Sequence, residues 1–212
     1  MTMLNNRLKE KALDPECPYV GAYANDGTFI FAKTKDAFNI SASPKELGKT
    51  ADALKAAYTE ALRAARHGFK ATEYARFQED YKSSLDKMYS NKDKRPNSQL
   101  YRDLVDNFLE GDPMPSIDFE YQAMSQIVPA LPVEVVNQMM AELVPANDSN
   151  LIVLAFLNEA EGNVYPTEAE LLGAVKDARN ANIEAYVDNV KNEPLITTLP
   201  KAGKVKKEVK NE

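Results

Sequence analysis

The chain has 212 residues, of which 44% are apolar and 27% charged, and a formal net charge of -6; this is the composition of a globular chain long enough to bury a real core. One histidine (His67), one cysteine (Cys17) and no tryptophan exclude a site built from two or three histidines, an intramolecular disulfide, a Cys-x-x-Cys pair and a zinc finger. The acidic balance argues against sequence-independent nucleic-acid binding, and the longest wholly apolar run, Leu151 to Leu157, is too short to span a bilayer.

Met3, Leu4, Leu8 and Ala12 fall at helical spacing, with Asn5, Arg7, Lys9 and Glu10 on the other face. The helical pattern starts within the first residues, as in a helix entered partway along, and suggests a chain cut from something longer. No apolar core of a signal peptide is visible, because Met1-Thr2-Met3-Leu4 runs at once into Asn5, Asn6 and Arg7. Asp14-Pro15 ends this helix. Tyr19, Gly21 and Tyr23 then alternate with Val20, Ala22 and Ala24, and Asn25-Asp26-Gly27 offers a hairpin turn. Phe29 and Phe31 follow, and after Lys33-Thr34-Lys35-Asp36 the apolar Phe38, Ile40 and Ala42 alternate with Asn39, Ser41 and Ser43. This predicts a three-stranded antiparallel meander closed by Pro44.

From Leu47 the period changes to 3.6. Leu47, Ala51, Leu54, Tyr58, Ala61, Leu62 and Ala65 form one stripe, ended by His67-Gly68. Tyr74, Phe77, Tyr81, Leu85, Met88 and Tyr89 mark the next helix. A charged turn, Asn91 to Pro96, leads to a third helix through Leu100, Leu104, Val105 and Phe108, with Gly111 near its end. Two short helices, about Ile117 to Val128 and Val133 to Leu143, are separated by Pro129 and Pro132. The unbroken run Leu151 to Leu157 reads as a late strand buried on both faces. Thr167 and Glu170 have capping-box spacing at the start of a last helix, expected to reach about Tyr186. The expected fold class is α+β: a small, mostly antiparallel sheet, the meander plus the late strand, covered by several helices. Residues 1–190 form one domain and 191–212 a linker or tail. Residues 200–212 carry five Lys against two Glu, leaving -9 over the other 199 residues.

Candidate chemistry is sparse. His67 sits at a helix end, where a positive ring suits the carbonyl end of the dipole, and no partner lies near it in sequence. Cys17 lacks a local base. Glu79-Asp80 and Glu159 with Glu161 have the look of solvated faces rather than acid/base pairs. The eight glycines are scattered singly, so no phosphate-cradling loop exists. No catalytic, cofactor-binding or metal-ligating residue is assigned.

The order of several short motifs does carry information. Met3-Leu4-Asn5-Asn6-Arg7-Leu8 followed by Cys17-Pro18-Tyr19-Val20-Gly21-Ala22, then His67-Gly68-Phe69 with Glu73 and Arg76, then Val135-Val136-Asn137, then Tyr165-Pro166-Thr167-Glu168-Ala169-Glu170-Leu171, resembles the pitrilysin/insulinase family of zinc metallopeptidases. Leu195 to Val205, with Pro200, Gly203 and Lys204, is similar to the linker before that family's second half. The resemblance runs from about Met3 to Val205 and matches the later part of the second domain of the N-terminal half. Lys70 stands where the family has a capping Thr, so another group must cap that helix; Tyr74 replaces a Leu.

The resemblance implies a half-barrel-like fold and a parent of four domains, whose two halves enclose a peptide and whose zinc is held by an inverted His-x-x-Glu-His motif. That motif is absent from this sequence, so no catalytic residue carries over, no cofactor is expected in this chain, and zinc is expected only in the parent. The chain alone is expected to be inert. Its implied role is structural, in the chamber wall and in contacts between halves. Its partners would be the other domains of the same peptidase and, for the parent, a peptide substrate. The parent is expected in a bacterial periplasm or cell envelope. The alternatives are a stand-alone interaction module, or an inactive homologue paired with an active subunit. An exposed sheet edge predicts a homodimer.

Overall fold

The computed structural model describes residues 1–29, 32–147, 149–190, 196, 198, 200, 201 and 203, with backbone only at residues 28, 29, 32 and 33. The tail from Pro194 and its Lys-rich end fall largely outside the described residues.

The class is α+β. Among the described residues there are seven α-helices and one antiparallel hairpin, β1 (Tyr19–Phe29) and β2 (Ala32–Pro44). Helix α1 (Thr2–Ala12) opens the chain and lies on β1. Its Leu4 and Leu8 are fully buried, each contributing about 1.5–3 kcal/mol of apolar burial. Asn5 fixes the helix to the strand: its Nδ2 donates to Ala24 O at 2.8 Å, and its Oδ1 accepts from Ala24 N at 2.7 Å. The buried Tyr19 hydroxyl donates to Leu8 O at 3.1 Å.

A short 3₁₀ turn, Leu47–Lys49, enters α2 (Thr50–His67), the central helix, which packs against β2, α1, α6 (Val133–Leu143) and α7 (Glu168–Asn180). Ala53, Ala57, Ala61 and Ala64 are all buried along α2, and Ala174 and Ala178 are buried on α7. Small side chains on both helices permit a close approach. The stripe expected from periodicity is therefore only part of the buried surface of α2, because neighbours cover more than one face. Helices α3 (Ala71–Ser90), α4 (Asn97–Glu110) and α5 (Ile117–Ala130) follow. Gly111 ends α4 at φ 75°, in the left-handed region. α3 holds α5 through Tyr74 Oη to Leu131 O and Gln78 Nε2 to Val128 O, both 2.8 Å.

Three expectations are corrected. Among the described residues the meander has two strands, not three. Asn25, Asp26 and Gly27 do not turn; they pair with Asn39, Phe38 and Ala37, since running on lets β1 lie along all of β2. The strand expected at Phe29 and Phe31 is not separate: Phe29 ends β1, and Phe31 lies outside the described residues. Along β2, Phe38, Ile40 and Ala42 pack on the core while Ser41 and Ser43 are exposed, as the alternation requires.

The run Leu151 to Leu157 is not a strand in the sheet and is not buried on both faces. It has no ladder partner among the described residues, and Ile152, Leu154 and Phe156 are exposed. An apolar run supplies affinity for a sheet but not the neighbour that completes one. Finally, α7 begins with the expected box, Thr167 Oγ1 accepting from Glu170 N and Glu170 Oε2 accepting from Thr167 N, but ends at Asn180 rather than near Tyr186. Residues 181–190 leave the helix because side chains of α2 and α3 capture their polar groups, as described next.

Candidate functional site

The densest polar constellation lies where α1, the start of α3 and the segment 181–190 meet. Arg7 projects from α1 and is 2% exposed. Its Nε donates to Glu73 Oε1 at 2.8 Å and its Nη2 to Glu73 Oε2 at 2.7 Å, a bidentate pair. Nη2 also donates to Gly68 O at 2.9 Å. The guanidinium lies 4.8 Å from the Phe69 ring centroid and 4.3 Å from that of Tyr186, within the range of cation–π attraction. Glu73 also accepts from Lys70 N at 2.8 Å through Oε2. It thereby supplies the cap that Lys70, a donor-only side chain, cannot.

Around this pair the segment 181–190 acts as a strap. Arg66 donates to Ala181 O at 3.2 Å and to Arg179 O at 2.6 Å. His67 Nε2 donates to Ile183 O at 2.7 Å, and Arg63 donates to Glu184 O. Arg76 forms a two-pronged pair with Asp188 at 2.9 and 3.1 Å, and Thr72 Oγ1 donates to the same carboxylate. That carboxyl is held below the usual range, chiefly by its hydrogen bond from Arg76, and also by Thr72 and the Val190 N–H. The Tyr186 hydroxyl donates to Glu10; burial first, then Glu10, push its ionisation upward.

Chemically this is a clamp. Both Glu73 oxygens are engaged, Tyr186 stays a neutral donor through the ordinary pH range, and Asp188 is committed to Arg76 and Thr72. An open cleft of about 410 Å³ beside the strap is lined by Lys70, Ala71, Thr72, Tyr186, Val187 and Asp188; three of its polar groups, Thr72, Tyr186 and Asp188, are among those that hold the strap.

The other residues weighed on sequence grounds do not join this cluster as reactive groups. His67 is spent on a main-chain carbonyl. Cys17 is buried next to Tyr19, whose ionisation is pushed upward by burial and by the proximity of Cys17 and Glu60. Glu79, Asp80, Glu159 and Glu161 are exposed. Among the described residues no group of three or more His, Cys, Asp or Glu side chains is gathered for a metal, and no helix is long and apolar enough to cross a membrane. Sequence reasoning missed the Arg7–Glu73 pair and the strap. Periodicity assigns charged residues to the solvent face, so it carries no signal for a charge buried against a partner 66 positions away.

A second pin sits nearby. Asn137 on α6 accepts from Phe69 N at 2.7 Å and donates to Phe69 O at 3.3 Å. Gly68, at φ 69°, lies so close that an added Cβ would come 2.5 Å from Asn137 Nδ2.

No protein-family model matches the chain, and no curated protein matches it. Two solved structures share its fold. The first half of the periplasmic protease PqqL from Escherichia coli superposes with a TM-score of 0.67 at 17% identity, covering 88% of this chain and 39% of that one. The whole periplasmic protease PqqL from Escherichia coli gives 0.65 at 19% identity, covering 92% of this chain and 21% of that one. The chain thus spans well under half the length of the structures it matches, and it has the fold of a part of a larger protease.

Proposed function

We propose that this chain is a non-catalytic structural segment of a zinc metalloendopeptidase of the pitrilysin/insulinase type, forming chamber wall and contacts between the two halves. The observation that carries this reading is the convergence of its motifs. Arg7, Gly68, Phe69 and Glu73, which carry the sequence resemblance from positions more than 60 residues apart, meet in one buried clamp, and Asn137 is pinned to its edge. Motifs of this kind hold architecture. The likeness of the fold to part of the first half of a periplasmic protease supports the same reading. The parent would hydrolyse peptides with a zinc ion held elsewhere in its sequence, in the periplasm or cell envelope. The partners of this chain would be the remaining domains and, through them, the peptide substrate.

The test is direct. The purified chain is expected to show no chelator-sensitive peptidase activity and to retain no stoichiometric zinc after dialysis. One bound zinc per chain, measured by elemental analysis, would count decisively against the proposal. A second reading, an inactive homologue or interaction module that pairs with an active subunit, draws on α4, which buries none of its residues and exposes Leu100, Leu104 and Phe108. Reading the coding frame upstream separates the two: an inverted zinc motif on the same chain supports the first, and its absence the second.

A further inference from the structure

The run Leu151 to Leu157 combines three properties. It passes without turn or bend, and none of its main-chain N–H or C=O groups has a hydrogen-bond partner among the described residues. Its partly buried side chains, Val153 and Leu157, both fall on one side of a period-two pattern, although Leu151 and Ala155 on that side are exposed. Leu151 and Val153 line a groove on α7 with Leu171, Leu172 and Val175. Ile152, Leu154 and Phe156, on the other side, are 59%, 52% and 79% exposed, against 38% for Leu151. Unpaired main chain beside exposed apolar side chains is a template for strand addition.

We propose that this template is filled by a second copy of itself, running antiparallel about a two-fold axis at Leu154. In that register Leu151 faces Leu157, Ile152 faces Phe156 and Val153 faces Ala155 of the other copy. Each face is thereby continued by like apolar side chains, and the run contains no charge, proline or glycine to interrupt the ladder. Charge selects the direction. Glu159, just beyond the run, comes opposite the neutral Ser149 in the antiparallel register, whereas a parallel in-register pair sets Glu159 against Glu159. The proposal does not depend on the peptidase reading.

Sedimentation equilibrium of the full chain over a concentration series tests it. The wild-type protein is expected to dimerise. Leu154→Lys, and separately Leu154→Glu, place like charges against each other on the axis and are expected to raise the dimer dissociation constant by about a hundredfold. An equimolar mixture of the two variants is expected to recover dimer. Leu154 is half exposed, so both variants should keep the wild-type circular dichroism spectrum. A wild-type chain monomeric at every concentration overturns the proposal. So does a Leu154→Lys chain that dimerises as tightly as the wild type, or a mixture that associates no better than its components.

Discussion

Arg7 and Glu73 are each more than nine-tenths buried, so their energetics differ from those of the surface pairs on the same molecule. The pair Lys49–Asp52, over half exposed on both sides, belongs to a class worth about 0–1 kcal/mol. A buried pair is weak evidence of net stabilisation, but removing one member strands the other in a low-dielectric site. Glu73→Ala is therefore expected to lower unfolding stability by about 3–5 kcal/mol in urea titration. The double variant Arg7→Met with Glu73→Leu should recover much of that loss, because no charge is left unpaired. Equal losses for the single and double variants would show that the clamp stabilises through its ion pair rather than by avoiding an orphaned charge. Neither residue announces this role in sequence: both sit in amphipathic patterns where Arg and Glu ordinarily face water.

At the scale of elements, the corner between α2 and α3 decides how three helices meet. Gly68 takes φ 69° and ψ -173°, a region open essentially to glycine, and its missing side chain makes room for the Asn137 amide. Gly68→Ala is expected to destabilise by about 2 kcal/mol or more, from backbone strain together with the overlap. Asn137→Ser should lessen the overlap and make the combined loss less than additive in a double-mutant cycle, since the two sites touch. Additive losses would argue that the backbone strain alone matters. The position of this corner was readable, because a His-Gly pair after a long apolar stripe marks a helix end. Its tie to α6 was not, because the partner lies 68 residues on.

Across the whole molecule, the strap 181–190 joins α1, α2 and α3, and one of its fasteners titrates. The Asp188 carboxyl is lowered chiefly by Arg76, so the unfolded chain binds that proton at a higher pH than the folded one. The contribution to stability is then complete above the unfolded value, about pH 4, and is lost as pH falls through the lower folded value. Asp188→Asn is expected to lower Tm at neutral pH by an amount that stays constant down to about pH 5 and closes below about pH 4. A gap independent of pH, followed by calorimetry, would assign the effect to packing instead. What the sequence by itself determined was short-range: the starts of α5, α6 and α7, the Thr167–Glu170 box, the Gly111 stop, the alternation of β2 and the α+β class. Each is settled by residues within a turn or two of one another, through capping, glycine conformation and side-chain period. Tertiary structure decided where the hairpin runs, how far α7 continues, and that Leu151 to Leu157 finds no place in the sheet. In those three cases the local preference is shared by two outcomes, and the choice falls to hydrogen-bond and packing partners that lie far away along the chain.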